Sequence, residues 1–420
     1  MKRERMAIKK VKFAPYNPRT MKKSELEKLK KSIETFGCYE PLVVNSRTWH
    51  AVGGNQRLRA LNELGYEEVE VVIVDLPIEK EKLLNLALNR IQGEFLEDQL
   101  AVLLEELNKI PDLDVSLSGF DIPEISQILD RHRQLPDDDN FDFEKEAESI
   151  IEPKTKRSDL ILLGKHRILC GDSSNSDNMK TLMAEEKADM LDCDFPYNVN
   201  YGGGAKPNPN TRPKKSRKWP QIYSDDMPQE EYEKWMKTVL ILIKQYLKPG
   251  AAIYIWQGLR QFPPMYQILL DLDFHVSCFL CWLKESAAIT YADYCYRTEQ
   301  ALYGWLKGAS HYWAGKPGES NVWEVRRDPT KSYCHPTQKP VQLAQHALQN
   351  SSKINDVVLD TFLGSGSVLI GCEILGRRCF GMEIDPRYCD VIVKRYINLV
   401  GADKVSSEIR DKYSTKEVVK

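Results

Sequence analysis

The chain has 420 residues, 42% hydrophobic and 29% charged, with 59 Lys and Arg against 61 Asp and Glu. That composition excludes a disordered polymer and a histone-like basic protein, and the length suits two or three domains. The net charge of −2 is a sum over opposed blocks. Residues 1–31 carry twelve Lys and Arg against three acids, whereas residues 136–152 carry eight acids against one Lys, so a local basic surface for nucleic acid stays open.

No run of about 18 apolar residues suits a membrane span, and the start, MKRERMAIKKVKF, lacks the apolar core of a secretion signal. Ten cysteines show no framework, and the one C-x-x-C, Cys278 to Cys281, lies in an apolar run. Buried reduced thiols, no metal and a cytoplasmic, nucleoid-associated location are expected.

In chain order, Ser24–Phe36 reads as an amphipathic helix with Ser24 as its cap and Leu26, Leu29 and Ile33 on one face. Leu42–Asn45 and Trp49–Val52 read as strands, Asn55–Leu64 as a helix closed by Gly65, and Val69–Val74 as a buried strand. Two or three helices follow through Asp130. This predicts a small α+β domain over 1–92, a helical appendage over 93–135 and a solvated acidic linker over 136–157. Over 158–420, strands at Ala188–Leu191, Ala251–Ile255, His275–Leu283, Gln300–Gly304, Val357–Leu359 and Cys379–Ile384 alternate with helices at Glu231–Leu247, Val341–Leu348 and Ser367–Leu375. Lys248-Pro249-Gly250 reads as a turn. The alternation predicts a doubly wound α/β sheet.

Two segments carry chemistry. Strand 357–359 runs through Asp360-Thr361-Phe362-Leu363 into Gly364-Ser365-Gly366 and a helix, and the next strand ends at Glu383. Glycines let a backbone approach a ligand, and an acid about 20 residues on is where a ribose diol is held. The next glycine, Gly371, breaks the dinucleotide spacing. Asp360 would repel a pyrophosphate but attract an α-amino or sulfonium group. The second segment, Asp194-Phe195-Pro196-Tyr197, follows strand 188–191. A carboxylate and a neighbouring carbonyl can accept both hydrogens of an exocyclic amine, Pro stiffens the backbone and Tyr offers a flat face to an extruded base.

The tetrad resembles the D-P-P-Y motif of amino-methylating DNA methyltransferases. Phe362 to Gly366 resembles their F-x-G-x-G cofactor turn, His335-Pro336-Thr337-Gln338-Lys339-Pro340 their H-P-T-Q-K-P segment, Gly171-Asp172 an element near the cofactor adenine, and Leu247-Lys248-Pro249-Gly250 a further family turn. With the tetrad first and the cofactor turn last, the order is that of the beta-type arrangement, over about residues 158–420. The resemblance implies a Rossmann-like sheet binding S-adenosylmethionine through Asp172, Asp360, Phe362, Gly364, Gly366, Glu383, Thr337 and Lys339. It implies methyl transfer to adenine N6 in double-stranded DNA, with Asp194, Phe195, Pro196 and Tyr197 at the target base. Asp in the first tetrad position favours adenine over cytosine N4. Phe195 departs from the usual Pro while keeping the carbonyl. A catalytically decayed DNA-binding protein is the competing class, and a nicotinamide-dependent dehydrogenase is disfavoured by motif order.

Lys206, Arg212, Lys214, Lys215, Arg217 and Lys218 follow the tetrad with no acid between them and suit phosphate binding. Arg326 and Arg327 fall where the family carries sequence-reading residues. Near the N-terminus, Asn17-Pro18-Arg19 and Gly53-Gly54-Asn55-Gln56-Arg57-Leu58-Arg59 resemble the ParB-like module, with Asn55 and Gln56 replacing its Glu and first Arg. Arg57 and Arg59 suit phosphate binding or surface helix charge equally. Oligomeric state, a homodimer included, and a restriction partner are not legible.

Overall fold

The computed structural model describes residues 2–19, 21, 23–90, 96–132, 141, 143–198, 226–285, 293–316, 318–325 and 339–413. The chain divides into two compact units, residues 1–134 and 135–420.

The first unit holds strands β1 (Lys2–Ala7), β2 (Lys12–Phe13), β3 (Leu42–Asn45), β4 (His50–Gly53) and β5 (Glu68–Val74) in one sheet of order β1-β5-β3-β4-β2. Its helices are α1 (Lys23–Phe36), α2 (Asn55–Glu63), α3 (Ile78–Arg90), α4 (Glu97–Asn108) and α5 (Ile122–His132). Leu26 and Ile33 of α1 and Leu58 and Leu61 of α2 pack on Leu42, Val44 and Val71 of the sheet. Leu26 and Ile33 are seven apart and Leu58 and Leu61 three apart on their helices, and Leu42 and Val44 two apart on their strand, so in each element one face is buried. Gly54 enters α2 at φ 88°, and a Cβ there would lie 2.6 Å from the Leu42 side chain. Asn55 is buried, accepting from the Ala14 amide at 3.2 Å and donating to the Ala51 carbonyl at 2.7 Å. Arg57 pairs with Glu40 at 2.5 Å and Arg59 with Glu63 at 3.1 Å. Glu81 of α3 is fully buried and accepts from Tyr16, Asn45, Thr48 and His50. Burial alone would raise its pKa, but these bonds outweigh that and hold it below the ordinary value.

Among the described residues, the second unit holds nine strands: β6 (Leu160–Leu163), β7 (His166–Cys170), β8 (Ala188–Asp194), β9 (Leu247–Gln257), β10 (Phe274–Leu283), β11 (Thr298–Leu306), β12 (Val322–Glu324), β13 (Val357–Asp360) and β14 (Arg378–Glu383). Their order is β12-β10-β11-β9-β8-β13-β14-β7-β6. The run from β9 through β8, β13 and β14 to β7 is parallel throughout. Its helices are α6 (Phe143–Ser149), α7 (Ser176–Met183), α8 (Gln229–Tyr246), α9 (Phe262–Asp271), α10 (Val341–Ser351), α11 (Ser367–Leu375), α12 (Pro386–Val400) and α13 (Ser407–Tyr413). Two cores form, one on each face of the sheet. Tyr254 and Trp256 of β9 lie with residues of α10, α11 and α12, and Ile253 and Ile255 of the same strand lie with residues of α8 and α9. After β8 the chain enters α8 on one face, and after β13 it enters α11 on the other. The gap between the carboxyl ends of β8 and β13 is therefore a topological switch point, where such sheets bind ligands.

Three expectations change. Lys248-Pro249-Gly250 is not a turn before a strand but a bulge within β9: Ala188 pairs with Leu247 and Met190 with Ala252, and Gly250 takes φ 82°. Within the stretch read as solvated linker, α6 docks. Phe143 and Ala147, one turn apart, are buried, the Phe143 ring meets Tyr388 edge-on at 5.2 Å, and Glu146 pairs with Lys394 at 3.2 Å. Charge counting missed this because two apolar residues on one face suffice to dock a short helix. Cys278 and Cys281 are half-buried, not buried. Three residues apart on β10, they point to opposite faces. Among the described residues, no helix is long and apolar enough to cross a membrane.

Candidate active site

Four neighbouring parallel strands deliver carboxylates or turns to one end of the sheet. β8 ends at Asp194, β13 at Asp360, β14 at Glu383, and β7 leads into Gly171-Asp172.

The tetrad continues β8 by one ladder bond, from the Phe195 amide to the Trp256 carbonyl at 3.2 Å. A proline at this position has no N–H to give. The Phe195 ring is 1% exposed, 4.6 Å from Phe362 and 6.3 Å from Trp235. A hydrogen bond and a packed ring thus hold the backbone where the family's pyrrolidine would stiffen it. The Pro196 carbonyl accepts from Tyr232 at 2.5 Å, and Gln257 donates to that hydroxyl at 2.9 Å. Tyr197 lies against Gly258, where a Cβ would come within 3.2 Å of its ring.

Asp194 forms an ion pair with Lys339 through Oδ2, and Lys339 also lies 3.6 Å from Glu299 and donates to the Tyr197 hydroxyl at 3.3 Å. Lys284 pairs with the other oxygen of Glu299. Asp194 Oδ1 is buried without a hydrogen-bond partner among the described residues. Desolvation pushes the Asp194 pKa up, and the Lys339 ammonium pulls against it. Lys339 is itself held above its ordinary value: burial alone would lower it, and Asp194 and Glu299 more than offset that. Asp192, buried two residues before Asp194, is pushed up to about 7 chiefly by desolvation.

On the other side of the switch point, Asp360 is buried, its Oδ1 accepting from the Phe362 amide at 3.0 Å, and desolvation raises its pKa well above the ordinary range. Glu383 accepts from the Gly364 amide at 2.9 Å and the Asp385 amide at 2.8 Å. Burial still pushes it up to about 7. Gly364 and Gly366 take φ 52° and 80°, so the turn needs the conformation that glycine supplies at no steric cost. A Cβ on Gly381 would sit 2.6 Å from the Leu363 side chain. Asp172 caps its own turn, accepting from the Ser174 amide at 2.8 Å. Ser367, at the start of α11, donates to the Lys339 carbonyl at 2.7 Å and so ties the cofactor turn to the lysine.

The structure therefore brings together Asp194, Phe195, Pro196, Tyr197, Asp360, Phe362 and Lys339, with Gly364, Gly366, Glu383 and Asp172 along the same strand ends. It places the Lys339 ammonium on the tetrad rather than on the glycine turn. Sequence reading missed Asp192, Glu299, Lys284, Tyr232 and Gln257. The signal for Glu299 was an acid at the mouth of an otherwise apolar strand, TEQALYGWL. Thr337, Lys214, Lys215, Arg217, Lys218, Arg326 and Arg327 lie outside the described residues.

A mixed sheet with a parallel centre, buried carboxylates at its switch point and a D-x-P-Y tetrad beside them define a Rossmann-like methyltransferase domain. Residues 188–394 match the DNA methylase family, residues 2–90 the ParB N-terminal domain, and residues 98–157 the ParB-methyltransferase HTH domain. Type II methyltransferase M2.DpnII of Streptococcus pneumoniae is 28% identical over 239 residues, spanning 53% of this chain and 87% of that protein. Type II methyltransferase M.HpaI of Haemophilus parainfluenzae is 24% identical, over 54% of this chain and 73% of its own length. The solved M1.HpyAVI–SAM complex is similar over 55% of this chain and 98% of that one, at 21% identity and a TM-score of 0.41. Residues 188–394 thus carry a domain of the DNA methylase family, S-adenosylmethionine-dependent enzymes that methylate DNA, and residues 2–90 carry a ParB-like module ahead of it.

Proposed function

We propose that the chain methylates the N6 amine of adenine at a specific sequence in double-stranded DNA. The observation that carries this reading is the Asp194 carboxylate: one oxygen is taken by Lys339, and the other is a buried acceptor with no hydrogen-bond donor among the described residues. An unpaired buried acceptor costs about 1–3 kcal/mol, and an N–H of a flipped base would relieve that cost. The Phe195 carbonyl stands one residue on, held by the Trp256 ladder bond, to take the second N–H. Tyr197, gripped at its hydroxyl and seated on Gly258, supplies the stacking face. Accepting both hydrogens draws the nitrogen lone pair out of the ring and makes it the nucleophile. Asp in the first tetrad position supports adenine over cytosine.

The residues present fit S-adenosylmethionine. Asp192, Asp194, Asp360 and Glu383 set four carboxylates against one buried lysine around the switch point, a surplus suited to a ligand with cationic groups. When bound, the cofactor supplies an electrophilic methyl on a sulfonium that leaves neutral. Asp360 and the Gly364–Gly366 turn would hold its amino acid end, Glu383 its ribose, Asp172 its adenine side, and Phe362 would pack against it. Phosphate contacts are assigned to Lys214, Lys215, Arg217 and Lys218 and base reading to Arg326 and Arg327, on the sequence pattern alone.

Expression in an unmethylated bacterial host, followed by modification-sensitive long-read sequencing, tests the reading. N6-methyladenine at one fixed motif is expected; N4-methylcytosine or an unmarked genome refutes it.

Cofactor affinity is expected to rise about tenfold between pH 6 and 8, because Glu383, pushed up to about 7, accepts ribose hydroxyls best when ionised. The linkage sign for the free protein is opposite. A carboxyl raised above its ordinary value in the folded state stabilises the fold at low pH, and that contribution is lost as pH climbs from about 4.5 to about 7. Calorimetric titration with S-adenosylmethionine checks the first effect. Glu383→Gln should flatten the profile, and a flat wild-type profile would remove Glu383 from the ribose site.

A further inference from the structure

Four charges alternate in a row beside the tetrad: Asp194, Lys339, Glu299 and Lys284. The two lysines are nearly buried, with 11% of the Lys339 side chain and 7% of the Lys284 side chain exposed. They come from elements far apart in the chain: Lys339 precedes α10, Lys284 follows β10, and Glu299 sits on β11. A Lys ammonium has three N–H donors, and the Lys339 ammonium has three acceptors around it: Asp194 Oδ2, Glu299 Oε2 and the Tyr197 hydroxyl. The Tyr197 hydroxyl in turn donates to Glu299 Oε2 at 3.4 Å. The Lys339 ammonium also faces Trp256, 5.2 Å from its ring centre. Two of its donors thus have partners within hydrogen-bond distance, the third faces Glu299 at 3.6 Å, and Asp194 Oδ1 has no hydrogen-bond partner among the described residues.

An acid beside Asp194 is unfavourable in itself. Glu299, Asp192 and Asp360 all repel its charge, and Lys339 opposes them most strongly, with a smaller contribution from the Tyr197 hydroxyl. Pairing with Lys284 weakens the direct repulsion of Asp194 by Glu299, while Glu299 also faces the ammonium that the two acids share. We propose that Glu299, anchored by Lys284, is a positioning residue that holds Lys339 on one oxygen of Asp194 and keeps the other available to the target amine. Without Glu299 the ammonium has a free donor and can rotate toward Oδ1, and the Tyr197 hydroxyl loses one of the two groups that fix its ring. This rests on the tetrad being the base site, and it adds a residue outside every motif that marks that site.

The test uses the full chain. Carboxyl-carbon NMR of Asp194, assigned with Asp194→Asn, follows its titration in wild type and in Glu299→Gln, alongside kcat and KM against pH with S-adenosylmethionine and unmethylated DNA carrying the motif that sequencing identifies. Positioning predicts that Glu299→Gln raises the Asp194 pKa by about one unit as Lys339 loosens. It also predicts a fall in kcat of about tenfold or more, with KM for both substrates within about threefold. Relief of direct repulsion alone predicts the opposite sign, a lower Asp194 pKa with kcat retained, and that result overturns the proposal. Should Glu299→Gln fail to fold, Lys284→Met leaves Glu299 and Lys339 in place. It should shift Asp194 in the same direction by a smaller amount, and an unchanged titration there overturns the proposal too. A wild type that transfers no methyl group sinks the base-site reading, while the NMR titration still decides the role of Glu299.

Discussion

Asp194→Ala is expected to lower kcat by about 10³-fold or more, while the cofactor Kd stays within about twofold. Removing one pre-oriented partner of a developing charge costs about 3–4 kcal/mol in transition-state stabilisation, and here the lost group is the acceptor for the amine. The loss has a second part. Asp194 is the partner that, with Glu299, keeps Lys339 protonated in a buried setting. Alanine leaves that ammonium with the Tyr197 hydroxyl, the more distant Asp192 and Glu299, which already pairs with Lys284. Cofactor binding is spared because Asp360, Glu383 and the glycine turn stand on other strands. Asp194→Asn keeps the shape and one acceptor oxygen but not the charge, so about 10²-fold loss is expected. Radiolabelled methyl transfer with calorimetry on the same samples measures both quantities. An alanine variant that retains more than about a tenth of wild-type kcat removes Asp194 from the chemistry.

Phe195→Ala is expected to destabilise the catalytic unit by about 3–5 kcal/mol, the range for emptying a buried aromatic site. The ring is wedged between Phe362 and Trp235 in the core that also holds α8 and α9. Phe362 belongs to the cofactor turn, so the cavity opens between the two halves of the site, and a weaker cofactor Kd is expected with the lost stability. Phe195→Pro restores the family residue yet removes both the packed ring and the amide that bonds to the Trp256 carbonyl. It too should destabilise, by about 3 kcal/mol or more. Urea unfolding followed by Trp fluorescence gives the comparison. A proline variant that is as stable as wild type and faster would show that the ring and its ladder bond do not replace the pyrrolidine constraint.

Six strands and three helices of the catalytic domain were legible because each carries its own periodic pattern, whereas β6, β7, β12, α7, α9, α12 and α13 were not read from the sequence. β13, its glycine turn and α11 follow one another within twenty residues, and local chemistry alone defines them. The Lys248-Pro249-Gly250 bulge was not legible as a bulge. A Pro-Gly pair signals a change of direction in either case, and only the pairing of β8 on both sides of it shows that β9 continues. Helix α6 was hidden for a related reason: eight acids over 136–152 dominate any local average, whereas docking depends on the two apolar residues that meet α12.

From sequence alone one could read the tetrad, the glycine turn, the acid after the following strand and the ParB-like segment, because each is a short run of residues whose spacing carries the chemistry. The tertiary structure decided which charges meet. It placed Lys339 on Asp194 rather than on the glycine turn, brought Glu299 and Lys284 to the same point from β11 and the end of β10, and set Tyr232 under the Pro196 carbonyl. Those contacts join strands and segments distant in the chain. Buried charges must find partners wherever the sheet order brings them, and strand order is a property of the folded sheet.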